Sequence, residues 1–524
     1  MRPGAWRRLA PTLAAGLLGL VYVIVSPPTR DLAAHLLRAK LFDAEGFGIW
    51  SNWWYAGHDV PGYSVLFGAL AAALTPQLAA ALAAVGSAAL FETLARAHFG
   101  RDAWLGALWF GAGTATNLFT GRLTFAFGLL PALAAALALQ RGRPRIALGL
   151  GALTALCSPV AALFAALAGA AYAVGSLGAH KHHRILAGLS LALAALAPIL
   201  ALAIVFPEGG REPFTFATLW PITLIAVIAI RAIPHRDRTL RAGVALYALG
   251  CVAAFGLSTP IGSNAARLGA LVAGPLAALL WWRRRVVLLL ATALALLYVQ
   301  WQAPVADVRA LAGDPSVTAG YYRPLLGFLA RQAGPPFRIE IPFTQSHWEA
   351  YRVAPRFPLA RGWERQLDIA DNRLFYDEPL TAATYDAWLH RLAVRFVAVS
   401  DAALDYSAQR ENALIAGGLP YLRLVAHPRH WRIYAVAEAT PIVQGAATLR
   451  ALGPNSLTLH ARRPGIALVR VRFSPYWALA GGPGCVAPWG DFTKLTLRRA
   501  GPLRLVIRFS AGRIGARSPR CAAR

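Results

Sequence analysis

Acidic residues are what this chain has least of. Against 52 Lys and Arg there are 24 Asp and Glu, for a formal net charge of +28 over 524 residues. From Ser64 to Trp301 the chain is Ala/Leu-rich and nearly free of acids. A carboxylate-lined proton path at a membrane midplane is therefore not supported there. Cysteine is scarce too: four residues, with no CxxC and no metal-finger spacing, which argues against a zinc module. Cys157 and Cys251 sit in apolar blocks and read as inert packing residues. Cys485 and Cys521 share the C-terminal part, where a disulfide is expected if that part lies outside the cytoplasm. No repeat of helical-solenoid length and no nucleotide-sugar loop is present.

What is abundant is apolar surface. Hydrophobic residues make up 57% of the chain and mean hydropathy is +0.48, against about 45–50% apolar in soluble domains. The excess is uneven. Residues 1–301 are repeated apolar blocks, whereas 302–524 has the composition of a soluble region large enough for its own core. A spanning helix needs about 20 apolar residues, or about 17 at the short end. Eleven stretches are candidates: 9–26, 77–96, 103–119, 123–139, 146–157, 160–177, 185–205, 217–233, 242–257, 268–282 and 286–301. Segment 62–75 is short and reads as re-entrant or interfacial. Ser158-Pro159 breaks one pair into a hairpin.

The basic charge follows these blocks. With the N-terminus inside, the inner loops hold Arg96 and Arg101, then Arg141, Arg143 and Arg145. Lys181 and Arg184 follow, then Arg231, Arg236, Arg238 and Arg241, and last Arg283–Arg285. The short outer loops hold few basic residues: Arg122, Arg211 and Arg267. That is the positive-inside pattern, and it accounts for the charge without a nucleic-acid partner. Arg2, Arg7 and Arg8 before the first apolar run imitate a signal peptide, but no small-x-small cleavage site precedes Pro27. The first block is read as a retained helix with a cytoplasmic start, and eleven passes leave the C-terminal part extracytoplasmic.

The C-terminal part divides by pattern. A linker-like stretch (APVADVRALAGDP) is followed by a helix near Tyr321–Gln332, a strand Phe337–Pro342, a helix near Ala382–Leu392 and a strand Val394–Ser400. Helix–strand alternation suggests an α/β layer over 302–440. From about 441 the segments SLTLHARR, IALVRVRF, TKLTLRR and LRLVIRF alternate between turns, which predicts a β-sandwich over 441–524. The expected fold is thus a polytopic α-helical membrane protein carrying an extracytoplasmic α/β plus β-sandwich region.

The acids and aromatics missing elsewhere gather in the first outer loop, Pro27–Tyr63. It holds Asp31, His35, Arg38, Asp43, Glu45, His58 and Asp59 beside Trp50, Trp53, Trp54 and Tyr55. As a helix from Thr29, Asp31, His35 and Arg38 share one face and Leu32, Leu36 and Leu37 the other. The plain reading is a surface helix capped by Thr29 or Asp31, with His35 and Arg38 at lipid headgroups. The following WSNWWYAGHDVPGY, with His58-Asp59 in a tight turn among aromatics, reads as a pocket wall. Outer Arg122 (in NLFTGR) and Arg267 (in TPIGSNAAR, with Asn264) oppose the general charge bias, and an Arg fork suits phosphate.

The order of first helix, D-x-x-x-H, aromatic loop and Pro-led helix resembles the GT-C superfamily of polytopic membrane glycosyltransferases. The stretches RFPLARGWERQLD, with Arg361, Gly362, Trp363 and Glu364, and FSPYWALAGG look like those of actinobacterial multi-pass proteins of envelope glycosylation. The resemblance implies a polyprenyl-phosphate-linked sugar donor and an envelope glycan or lipid acceptor. Asp31 would be the catalytic carboxylate, a general base, with His35, His58 and Asp59 beside it. Arg38, Arg122, Arg267 and Asn264 would hold the donor phosphate, and Trp50, Trp53, Trp54 and Tyr55 would stack on substrate. Many such enzymes show two adjacent acids. Here Arg30 precedes Asp31, and Asp43, Glu45 or Asp59 would supply a second. The cofactor is left open, a divalent cation being one candidate. The competing class is a non-catalytic scaffold or a lipid or polymer exporter.

Overall fold

The computed structural model describes residues 5–177 and 182–522; Arg2 and Lys181 lie outside them. The chain divides into two compact units. Unit one comprises Met1–His35, Gly62–Ala203 and Gly209–Ala312, and unit two Leu36–Pro61, Ile204–Glu208 and Gly313–Arg524.

Unit one is helical. Among the described residues, seven helices are long and apolar enough to cross a membrane: Trp6–Val25, Pro76–Phe119, Leu123–Gln140, His182–Val205, Arg238–Gly256, Gly262–Trp281 and Val286–Leu311. Pro144–Cys157, Pro159–Gly175 and Phe216–Ala232 are shorter apolar helices. Ala/Leu runs form them because neither residue loses much rotamer freedom in a helix. Large apolar side chains such as Val287 (77% exposed) and Leu294 (81%) face outward, as a lipid-facing surface would. Segment 62–75 contains one short helix, Phe67–Leu74. The expected linker after 301 is not a linker: the last long helix runs on to Leu311. APVADVRAL is a helix-compatible sequence, and the chain turns only at Gly313, where φ is +76°.

Unit two is β-rich. One four-stranded sheet has the order 338–340, 394–400, 431–436, 422–426, with only its first pair parallel. Helices Ala319–Ala330 and Ala382–Arg391 precede its first two strands. Strands 50–51 and 58–59 pair antiparallel on their own, and the remaining strands form two sheets. One has the order 520–521, 484–489, 492–497, 465–472, 443–445, and the other 477–480, 501–507, 456–461, 447–452. Every second residue of Ser456–Ala461 is buried, the period that gives a strand one apolar face. Leu457, Leu459, Val469, Leu495 and Leu505 from both sheets meet in one core. Cys485 and Cys521 are directly opposed across paired strands and form a disulfide.

The same core contains Trp50 from the first loop, 3% exposed, with its ring edge-on to Trp477 at 5.5 Å. The loop segment 36–61 is therefore part of this unit, some 250 residues before its main part begins at Gly313.

Candidate functional site

The residues singled out in the sequence fall into two sets, one in each unit.

In unit one, the helix Arg30–Glu45 starts where the Thr29 hydroxyl accepts from the Leu32 amide, an N-cap. Asp31 sits in its first turn, where the positive end of the helix dipole favours a carboxylate. One turn on, His35 is fully buried, and its Nε2–H donates to the Gly121 carbonyl at 2.9 Å. A carbonyl only accepts, so Nε2 carries the proton. The ring packs edge-on to Phe67 at 5.2 Å. This seats the loop ending Gly121-Arg122 directly on the helix start. A Cβ on Gly121, where φ is +73°, would lie 2.3 Å from Thr29 Oγ1 and 3.2 Å from Asp31 Cβ. Only glycine permits that approach.

Arg122 is thereby brought within the electrostatic reach of Asp31, Asp307, Glu212 and Arg267. Burial and the like charge of Arg267 push its pKa down to about 10, with Asp31 the largest opposing pull. Arg122 stays cationic at neutral pH, and a cation so placed favours a further anion. Arg267 lies with its guanidinium 5.7 Å from the Phe125 ring centroid. Asn264 belongs to the short turn Gly262–Ala265 just before it, where the Ser263 hydroxyl donates to Glu212 at 3.2 Å. Asp307 and Glu212 were not among the sequence candidates. Glu212 is an acid in an acid-poor stretch, which could have drawn attention to it; Asp307 lies in the segment read as a linker and carried no such signal.

In unit two, His58 Nδ1 donates to the Asp59 carbonyl at 2.9 Å and lies 3.4 Å from Glu208 Oε1. Burial works against its charged form, but the Glu208 carboxylate outweighs it and raises the His58 pKa. Burial and the Glu208 charge push Asp59 up to about 8. Burial raises Glu208 as well, against the pull of His58. His58, Asp59 and Glu208 thus form a buried cluster in which each group shifts the protonation of the others. Glu208, missed in the sequence, carries the same acid-in-a-bare-stretch signal. Arg38 is buried and ion-paired with Glu364.

The aromatic residues of the loop are packing residues in this structure. Trp50, Trp53, Trp54 and Tyr55 are 3%, 6%, 1% and 1% exposed, so protein covers the surfaces expected to stack on substrate. Trp54 Nε1–H donates to the Ala350 carbonyl at 3.1 Å, and the Tyr55 hydroxyl donates to that of Gly362 at 2.5 Å. A Cβ on Gly362 would stand 2.3 Å from Trp54 Cγ, so glycine lets the two backbones close. The helix face expected at lipid headgroups is covered as well: His35 (0%) and Arg38 (8%) are buried as deeply as Leu32 (1%) and Leu37 (3%). Asp43 is exposed, and Glu45 accepts from Asn455 Nδ2 at 2.6 Å.

The RGWER motif anchors a buried ion network. The Arg361 guanidinium lies between the Phe343 and Phe375 rings at 3.9 and 4.0 Å and pairs with Asp368 at 2.7 Å and Glu411 at 3.3 Å. Arg365 pairs with Asp405 at 2.7 Å. Among the described residues, no group of three or more His, Cys, Asp or Glu side chains is placed to hold a metal ion.

No protein-family model and no curated protein matches this chain.

Proposed function

We propose that the chain is a polytopic membrane glycosyltransferase of GT-C type. It transfers a sugar from a polyprenyl-phosphate-linked donor to an envelope glycan or lipid acceptor at the outer face. The observation that carries this reading is the seating of the Gly121-Arg122 loop on the helix start that carries Asp31, which puts Arg122 within electrostatic reach of Asp31 and of Arg267 in the membrane-type unit. Arg122 and Arg267 supply the cations that a departing phosphate requires, and Asp31, Asp307 and Glu212 lie within electrostatic reach of Arg122. The charge alternation of the loops supports the finer topology: about eleven passes, a cytoplasmic N-terminus and unit two outside.

In this reading Asp31 takes the proton of an acceptor hydroxyl as its oxygen bonds to the anomeric carbon. The bond from that carbon to the phosphate oxygen breaks, and Arg122 and Arg267 stabilise the charge left on the lipid phosphate. His35 is a positioning residue that holds Asp31 against the Gly121-Arg122 loop. Unit two binds or guides the acceptor glycan.

A specific observation favours the scaffold or exporter reading: His35 and the Trp50–Tyr55 aromatics are committed to protein contacts. Envelope glycans and glycolipids separate the two. A deletion strain is complemented with the native chain, Asp31→Asn, or Arg122→Gln at matched expression. Transfer predicts that the native chain restores a missing glycan and that both variants fail. Full restoration by Asp31→Asn sinks the transferase and leaves the scaffold.

A further inference from the structure

Away from both sets, unit two carries a cleft of about 470 Å³ lined by four cations and no acid: Lys40, Arg323, Arg352 and Arg356. Its floor is one face of the helix Ala319–Ala330, which contributes Tyr322, Arg323, Leu326 and Gly327. Those positions fall at helical spacing, so the arginine and the apolar residues look into the same space. Tyr351 and Pro355 complete the wall. We infer that this cleft binds a phosphate ester of a sugar or polyol, its phosphate held by the arginines and its carbon skeleton against Leu326, Tyr351 and Pro355.

A chain with net charge +28 exposes many arginines, and an arginine patch is usually only solvated surface. Two observations separate this one. First, the cations line a concavity, within the range of small-molecule sites, and no carboxylate among the lining residues answers them. Second, Arg352 is oriented before any ligand arrives. Its guanidinium lies 5.0 Å from the Trp348 ring centroid and 5.2 Å from that of Tyr351, and Nη2 donates to the Val317 carbonyl at 3.2 Å. Arg forks match phosphate geometry and the neighbouring cations neutralise its second charge. The cleft is several times larger than one phosphate group, and its partly apolar wall suits the C–H face of a sugar or glycerol moiety. A free ester and a phospholipid headgroup share that chemistry.

The full chain in neutral detergent is titrated calorimetrically with glycerol 1-phosphate and glucose 1-phosphate, and with glycerol and glucose as uncharged parents. Nanodiscs of phosphatidylglycerol or phosphatidylcholine form the lipid arm, read by retained lipid in native mass spectrometry. Arg323 and Arg356 are both exposed, so Arg323→Gln/Arg356→Gln is compatible with folding, and an unchanged melting profile checks it. The expected result is binding of an ester but not its parent, weakened about tenfold or more in the double variant. Arg395→Gln, on the separate cleft beside Phe337, should bind as the native chain does. Selective retention of phosphatidylglycerol, lost in the double variant, assigns the source as lipid; binding of the soluble esters alone assigns it as a free ester. Equal binding by native and double variant, equal binding of ester and parent, or no binding in either arm overturns the assignment.

Discussion

Trp50→Ala is the sharpest test of how the first loop is built. The side chain is 3% exposed in the core between the two sheets, edge-on to Trp477 and with Nε1–H donating to Asn52 Oδ1 at 2.8 Å. Asn52 in turn donates to the Gly453 carbonyl at 2.9 Å. Truncating a buried tryptophan costs about 3–5 kcal/mol. Of that, the aromatic pair contributes about 0.5–1.5 kcal/mol, and the lost hydrogen bond about 1 kcal/mol. Domains are stable by only about 5–15 kcal/mol, so unit two should open far more often. Every 1.4 kcal/mol is about tenfold in population, which puts the expected rise at two to three decades or more. A two-unit protein has no single unfolding free energy, so the readout is pulse proteolysis of the full chain in detergent, following fragments of residues 313–522. Trp477→Ala should act similarly, and the double variant should cost less than the sum of the two. Trp489→Ala, 37% exposed in the same unit, should shift resistance by less than about 1 kcal/mol. If Trp50→Ala leaves protease resistance unchanged while abolishing transfer, Trp50 is a ligand-facing residue and its placement in the core is wrong.

Further outcomes follow from the buried charges and the disulfide. Asp59 is raised to about 8 by burial and Glu208, so the folded state holds a proton that the unfolded chain releases near pH 4. The stability this proton brings is full below that pH and is lost as pH rises to about 8, at a limiting slope of about 1.4 kcal/mol per pH unit. Asp59→Asn should flatten that loss and be the more stable form at pH 8, measured by melting temperature against pH; an unchanged profile would remove the shift. Arg361→Ala leaves Asp368 and Glu411 buried without their shared cation and should cost about 3–5 kcal/mol, read by the same proteolysis. Cys485→Ser opens a bridge with a sequence separation of 36, worth about 3–4 kcal/mol on a chain-entropy estimate. Native protein treated with reductant should lose the same resistance, and Cys157→Ser should not.

Hydropathy alone marks the membrane-length helices, because a run of about 20 apolar residues has few other stable environments. Period-two alternation likewise marks Ser456–Ala461 as a half-buried strand, since a pleat sends successive side chains to opposite faces. Composition also drew attention to Asp31 and to Arg122, through their rarity in those surroundings. It did not separate aromatics that line a pocket from aromatics that fill a core, because the residue types are the same in both. Trp50, Trp53, Trp54 and Tyr55 are buried by partners around residues 350–364 and 453–477, beyond the reach of any local pattern. His58 with Glu208, and Arg38 with Glu364, are pairings of the same non-local kind. Local sequence determined which segments are helix or strand and which residues are chemically unusual. Tertiary structure decided which unusual residues meet, since burial and charge pairing depend on groups brought together only by the folded chain.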